Sequence, residues 1–270
     1  MTYSIASSSQ ATSSVSFKQV LRQSIQNNIN IHFASTLGRE SDIVNIVMAQ
    51  IYRESSFSPV RPGPTLSITG SSIAKDYWYS SAISSCRAQA SPEQLANLNQ
   101  GLQAWGVMQC GGWNLVYGAS TAGGGKTEIE RARPDLASSV MVNPGDSISF
   151  LHYGENNIDN QILSGLIILE SKYKLVRGSG SSFTIGSFTF NSKISAAIAA
   201  YLGLGKKDTV TGITPQQYAD SICYGQSYEI ANNGASPTGY LSRSNPSAQQ
   251  TKNGPIITAA SGNNKTTYGC

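Results

Sequence analysis

Residues 41 to 57, SDIVNIVMAQIYRESSF, decide how the fold is interpreted, and we expect the rest of the chain to be organised around them. Apolar side chains fill positions 43, 44, 46 to 49 and 51. Because this run is nearly continuous and too long for most strands, it predicts a helix that is buried on most sides. Ser41 or Asp42 is suited to cap its start, and Phe57-Ser58-Pro59 predicts its end.

Glu54 stands in the last turn of this predicted helix, between Arg53 and Ser55. A carboxylate at the end of an apolar helix is poorly solvated, and since burial disfavours the charged form, the pKa of Glu54 is expected to rise. A carboxylic acid that stays protonated near neutral pH is what general acid catalysis needs. The alternative is a surface glutamate that pairs with Arg53.

Four short motifs follow one another along the chain. They are E-S-S-F-S-P at 54–59, A-W-G-V-M-Q at 104–109, Q-I-L-S-G-L-I-I-L at 161–169 and A-A-Y-L-G at 199–203. In this order they resemble the motifs of the soluble lytic transglycosylase and goose-type lysozyme superfamily, whose last three are usually G-L-M-Q, N-I-x-x-G and A-Y-N-x-G. The resemblance covers about residues 30 to 230.

The resemblance implies a mainly α, lysozyme-like catalytic domain over residues 16–231. Apolar periodicity predicts helices at 16–33, 158–176 and 194–202, and a capping box that starts at Thr214 predicts one more, over 214–230. Gly165 lies within the second of these helices and predicts close helix packing. Alternation around Gly186-Ser187 predicts a small β-hairpin at 183–190. Residues 1–15 are predicted to be a flexible Ser-rich segment, and residues 232–270 an extended Gly/Asn/Ser-rich tail.

Composition limits the partners of the chain. The net charge is +4 and only 13% of residues are charged, with the basic residues scattered. This suits weak attraction to an anionic polymer such as peptidoglycan and argues against nucleic acid. No apolar run approaches the ~20 residues of a membrane span.

The cysteines predict neither a metal site nor a cofactor. Cys86, Cys110, Cys223 and Cys270 match no zinc-binding spacing, and only two histidines could join them. Either the thiols are free and buried, or Cys86 and Cys110 form a disulfide outside the cell.

The resemblance implies peptidoglycan cleavage at the β-1,4 bond between N-acetylmuramic acid and N-acetylglucosamine, with Glu54 as the catalytic acid. The residues that it implies for substrate binding are Ser55, Gly106, Met108, Gln109 and Tyr201. Of these, Ser55 would orient Glu54 or the sugar, and Tyr201 would hydrogen-bond near Glu54. Gly106 would let the backbone approach the glycan, while Met108 and Gln109 would line the floor of the cleft.

We expect transglycosylation, which needs one carboxyl group, rather than hydrolysis, which often needs a second. Asp76 and Glu93 are the candidates for a second carboxylate, but neither lies in a recognisable motif. Leu202 replaces the asparagine that usually follows the tyrosine of the fourth motif. This departure favours the alternative of a catalytically weak or inactive structural or glycan-binding component of a particle.

The N-terminal residues lack the basic and apolar segments of a signal peptide. A wall-degrading enzyme without a signal needs another route to the wall. We therefore expect a phage virion protein, carried in the tail or baseplate with other phage structural proteins and acting in the host periplasm or cell wall. A bacterial wall-remodelling enzyme is the third hypothesis and would need a signal sequence.

Overall fold

The computed structural model describes residues 15–55, 57, 104–118, 126–143, 146–204 and 214–232. Within these ranges the chain is mostly helical, with two small antiparallel sheets. The predicted mainly α class is confirmed. The predictions for residues 1–14 and for the tail from residue 233 onwards lie outside the described residues, as do Asp76, Glu93, Cys86 and Cys270.

The longer helices match the periodicity of the sequence. Apolar spacing gives α1 at Val15–Asn28, which continues as a π-helical turn over Ile29–Phe33, and α2 at Ile43–Ser55. The other helices are α3 Glu128–Ala132, α4 Ala137–Val140, α5 Ser149–His152, α6 Ile158–Leu175, α7 Lys193–Leu202, α8 Pro215–Cys223 and α9 Gln226–Ala231. The strands are β1 Ala104–Trp105, β2 Cys110–Gly111, β3 Arg177–Ser179, β4 Ser182–Ile185 and β5 Phe188–Phe190.

Helix α6, rather than α2, is the centre of the described core. Every residue from 161 to 170 is buried, and α1, α3, α4, α5 and α7 pack around it. Helix α2 is also largely buried, but it packs against α1, α8 and α9 at one side of the core. Among the described residues more helices pack on α6 than on α2, and the expectation that the chain is organised around residues 41–57 stays a prediction.

Gly165 brings a β-turn close to α6. A Cβ atom at this position would lie 2.6 Å from the Cβ of Met108, which is closer than real side chains approach. The predicted close packing at Gly165 is confirmed. However, the partner is the turn between β1 and β2 and not a second helix.

The predicted hairpin at 183–190 is confirmed. Ile185 pairs with Phe188 across the Gly186-Ser187 turn, and Gly186 has φ 59, a left-handed conformation that favours glycine. β3 adds a third, antiparallel strand to this hairpin. Its sequence, Arg-Gly-Ser, has no apolar alternation, so periodicity could not identify it.

The C-terminal segment starts as predicted but does not form one helix to residue 230. Thr214 and Gln217 form the predicted capping box at the start of α8. The helix ends at Cys223, and Tyr224 and Gly225 separate it from α9. A Cβ atom at Gly225 would lie 3.0 Å from the Cα of Ser221, a tight contact that favours a glycine at this position. The break allows α9 to pack on α2.

Candidate functional site

Glu54 is buried where α2 meets α8. It stands at the last turn of α2, and its side chain is only 1% exposed. The hydroxyl group of Tyr218, on α8, donates a hydrogen bond to Glu54 Oε1. The Thr214 capping box fixes the start of α8 one turn before Tyr218, so a local sequence signal positions the hydroxyl group. The alternative of Glu54 as a surface residue is wrong.

Tyr218 keeps its proton over the physiological range. Burial raises its pKa above the ordinary value, Arg53 opposes this, and Cys223 adds to it. A tyrosine that stays neutral is a permanent hydrogen-bond donor to the carboxyl group. We did not predict a contact between Tyr218 and Glu54 from the sequence.

The second motif forms the tight turn between β1 and β2. Ala104 pairs with Gly111 and Trp105 pairs with Cys110. The backbone N–H of Gln109 donates to the carbonyl of Gly106 at 3.1 Å. The Gln109 side chain closes the turn a second time, because its Nε2 donates to the same carbonyl at 2.8 Å.

Two residues of this turn have left-handed backbone conformations. Gly106 has φ 74 and Gln109 has φ 53. The conformation is easy for glycine but costs other residues about 1–2 kcal/mol. A Cβ atom at Gly106 would also lie 2.8 Å from Cγ of Gln161. Glycine is therefore required at position 106 by both conformation and space.

Gln161, the first residue of the third motif, anchors the turn to α6. Its Oε1 accepts a hydrogen bond from the backbone N–H of Val107 at 2.9 Å. Its Nε2 donates to the carbonyl of Gly154 at 2.7 Å. We did not predict Gln161 as a site residue, although a glutamine that opens an apolar helical run was a visible signal.

Tyr201 supports the turn and does not bond to Glu54. Its hydroxyl group donates to the carbonyl of Met108 at 2.7 Å and lies 3.5 Å from Sγ of Cys110. The predicted hydrogen bond near Glu54 is instead made by Tyr218. Burial raises the pKa of Tyr201 well above its ordinary value, and Cys110 and Tyr218 raise it further. Tyr201 lies on α7, which packs on α8, the helix that carries Tyr218.

The remaining predicted site residues are buried as well. The hydroxyl group of Ser55 donates to the carbonyl of Ile51 at 3.1 Å, within its own helix. The side chain of Met108 is fully buried against Gly165, so it lies in the core beneath the turn. Glu54 and Tyr218 thus form one buried pair, and the turn at 106–109 and Tyr201 form a second buried group. Helices α7 and α8, which carry the two tyrosines, pack on each other. We call these residues together the Glu54 cluster.

Cys110 and Cys223 are free and buried, so Cys110 does not form the disulfide with Cys86. Burial raises the pKa of the Cys110 thiol, although Ser164 and Tyr201 partly oppose this. Among the described residues, no group of three or more potential metal ligands comes together. No helix in the described part of the chain is long and apolar enough to cross a membrane.

Comparison of the chain with protein-family models, curated proteins and solved structures gave no match. The functional interpretation consequently depends on the four motifs and on the geometry of the Glu54 cluster.

Proposed function

We propose that the protein cleaves the β-1,4 bond between N-acetylmuramic acid and N-acetylglucosamine in peptidoglycan, with Glu54 as the general acid. The observation that carries the proposal is the carboxyl group of Glu54, buried at a helix end and hydrogen-bonded by Tyr218. Burial favours the neutral carboxylic acid, which has a proton to give. Cleavage requires that proton on the leaving glycosidic oxygen.

The reaction we propose is transglycosylation. Glu54 transfers its proton to the glycosidic oxygen as the bond to the anomeric carbon breaks, and the Glu54 carboxylate remains. That carboxylate then takes the proton of the muramyl 6-hydroxyl group, whose oxygen attacks the anomeric carbon. A 1,6-anhydro sugar forms, Glu54 is neutral again, and no water is consumed. One carboxyl group therefore performs both steps.

The second-motif turn has a supporting role in this proposal. Gln161 and Tyr201 hold its backbone from α6 and α7. A turn fixed on both sides can present its backbone to a sugar without being reordered on binding, which lowers the entropic cost of association. Gly106 and Gln109 are the members that we propose to lie nearest the glycan. The chain's net charge of +4 supports attraction to the anionic wall polymer.

One set of observations favours a second function, in which the same fold serves as a glycan-binding or structural component of a particle and does not cleave peptidoglycan. Glu54, Ser55 and Gln109 are all buried, so a glycan strand reaches them only if part of the protein moves aside. Leu202 also replaces the polar residue usual after the tyrosine of the fourth motif. A protein of this kind would co-sediment with insoluble peptidoglycan but would not cleave it.

Zymography on purified cell walls, with Glu54→Gln as the test variant, distinguishes the two functions. Glutamine keeps the size of the side chain and an acceptor for Tyr218 but carries no acidic proton. We expect activity to fall by roughly 10²–10⁴-fold, as for loss of a positioned acid–base group. Asp76→Asn and Glu93→Gln should each cost much less.

The products decide the reaction type. Transglycosylation yields anhydro-muropeptides, lighter by one water than hydrolytic products, and mass spectrometry of the digest separates the two. Reducing-end products together with a large loss in Asp76→Asn or Glu93→Gln would establish hydrolysis with a second carboxylate. Full activity of Glu54→Gln, or no activity of the natural protein, would exclude the proposed function.

Carriage in a phage tail or baseplate, with other phage structural proteins, stays a prediction that mass spectrometry of purified particles tests.

A further inference from the structure

Gln50 is a buried amide without a hydrogen-bond partner. It lies on α2 and is 0% exposed. Neither its Oε1 nor its Nε2 has a hydrogen-bond partner in the part of the chain that the structure describes. Such an amide has given up its hydrogen bonds to water and gained none, which destabilises the fold. Buried unsatisfied groups are rare in native proteins, and each one calls for an explanation.

The position of Gln50 suggests that explanation. It precedes Glu54 by four residues on the same helix, a spacing that brings two side chains to one face with their Cβ atoms about 5–6 Å apart. The other residues on this face, Ile43, Ile46 and Val47, are buried and apolar. Glu54 is therefore the buried polar group on this face that the amide of Gln50 can reach by rotating its side chain.

We propose that Gln50 is a positioning residue for Glu54, whose Nε2–H donates a hydrogen bond to the carboxylate that Glu54 becomes when it releases its proton. A hydrogen bond to an ionised group is roughly twice as strong as one between neutral groups. The amide thus gains most when Glu54 is charged. Tyr218 donates to Oε1 of Glu54 whether the carboxyl group is neutral or charged, whereas the hydrogen bond from Gln50 forms when Glu54 becomes charged.

This assignment deepens the proposed function, on which its role in catalysis depends. A buried glutamate readily stays neutral but is reluctant to become an anion inside the protein. A general acid must do both in each catalytic cycle. A further hydrogen-bond donor stabilises the carboxylate that is left after proton transfer. Gln50 supplies that donor from within the same helix.

In the described part of the chain, α2 and the helices packed against it, α1, α8 and α9, contain no histidine, the side chain that ordinarily changes charge between pH 5 and pH 8. The titratable and charged residues on α2 and the helices packed against it include Arg53, Lys18, Arg22, Tyr218, Cys223 and Tyr228. Burial raises the pKa of Tyr218 and brings that of Cys223 to about 12, so both stay protonated. Lys18 lies over the ring of Phe57, and Arg22 is bonded to the carbonyl of Ala231 at 2.6 Å. A Glu54→Gln background separates a pH response that runs through Glu54 from any other.

The first test is stability, with a matched control. Gln50→Met keeps the volume and removes two unpartnered polar atoms, so we expect Tm to rise by about 2–4 °C at pH 5. Gln161 is equally buried, but both ends of its amide are hydrogen-bonded. Gln161→Met should lower Tm instead. A fall in Tm for Gln50→Met like that of Gln161→Met would show that Gln50 has an ordinary structural partner, which contradicts the proposal.

The second test compares pH 5 and pH 8. At pH 8 a larger fraction of Glu54 is ionised than at pH 5. The gain in Tm from Gln50→Met should therefore shrink or reverse at pH 8, because the variant lacks the amide that donates to the Glu54 carboxylate. In a Glu54→Gln background the effect of Gln50→Met should be the same at both pH values. Equal effects at both pH values while Glu54 is present would overturn the proposal.

The third test needs no variant at position 50. In the natural protein, the side-chain amide protons of Gln50 should shift with pH in ¹⁵N-edited NMR spectra, and the shift should vanish in Glu54→Gln. Amide signals that do not move between pH 5 and pH 8 would refute the assignment. None of these measurements uses a cell-wall substrate. If the protein shows this coupling but does not cleave cell walls, the proposed function is refuted and the pairing of Gln50 with Glu54 still stands.

Discussion

At the scale of single residues, the hydrogen bond to Glu54 that was predicted for Tyr201 is made by Tyr218. Tyr201 is the tyrosine of the fourth motif, but its hydroxyl group donates to the carbonyl of Met108. Tyr218 supplies the donor for Glu54. A hydroxyl group has one proton to donate, and that of Tyr201 goes to Met108, so the donor to Glu54 is a different tyrosine.

Tyr218→Phe should impair activity more than stability alone explains. Removing the hydroxyl group leaves the buried carboxyl without this donor, which costs about 1–3 kcal/mol of unfolding free energy. Activity should fall by roughly 10–100-fold because the carboxyl is less well positioned. The measurements are denaturant unfolding and wall-degradation kinetics on the same preparations.

Tyr173→Phe is the matched control, since the hydroxyl group of Tyr173 donates to the carboxylate of Glu40. This pair has the same chemistry and belongs to no motif of the Glu54 cluster. Tyr173→Phe should lower stability and leave the activity of the folded protein unchanged. Equal losses of activity in the two variants would mean that Tyr218 acts only through stability.

At the scale of elements, α6 determines where the second-motif turn lies. Gln161 bonds to the backbone of the turn, and Gly165 leaves the space that Met108 fills. The two contacts are one helical turn apart on α6, so a single helix face holds the turn by a hydrogen bond and by packing. The third and second motifs are therefore structural partners.

Gly165→Ala should destabilise the protein despite the better helix propensity of alanine. The new methyl group would overlap the Met108 side chain, and overpacking of this kind costs about 1–3 kcal/mol. The propensity gain of about 1 kcal/mol offsets part of that cost. Chemical denaturation measures the difference. The control is Asn160→Ala on the same helix, where alanine also improves the helix propensity but meets no such clash, so stability should be unchanged or higher. An increase in the stability of Gly165→Ala would contradict the close packing.

At the scale of the whole molecule, a buried histidine makes stability depend on pH. His152 lies in α5, is 1% exposed, and its Nε2 lies 2.5 Å from the carbonyl of Val140. Burial lowers the pKa of His152 from 6.5 to about 4. Protonation of this side chain therefore opposes the packing of α5 beside the end of α4.

Stability should be lost as the pH falls from about 6.5 to 4. The folded pKa of His152 lies below the unfolded value, so the unfolded chain binds the proton first, and the stabilisation is fully present only above the unfolded pKa. The loss attributable to this group is at most about 3 kcal/mol. His152→Gln should flatten the profile of unfolding free energy in this window, whereas His32→Gln, at a partly exposed position, should not. An unchanged profile in His152→Gln would show that other groups control acid stability.

The sequence by itself determined the features that depend on neighbouring residues. Helices α1, α2, α6 and α7, the Gly186 turn and the Thr214 capping box all follow from contacts between residues a few positions apart, which periodicity and cap chemistry report directly. For the same reason the sequence placed Glu54 at the end of a buried helix. The break between α8 and α9 was missed, because the direction of α9 depends on its packing on α2, a helix far away in sequence.

Only the tertiary structure decided which groups meet. Tyr218 and Glu54 are 164 positions apart, and Tyr201 and Met108 are 93 apart. Such contacts depend on how α8 packs on α2 and how α6 supports the second-motif turn, and no local pattern encodes those orientations. Which helix has the most neighbours in the described core was likewise set by packing, since a buried helix segment looks the same in sequence however many helices cover it.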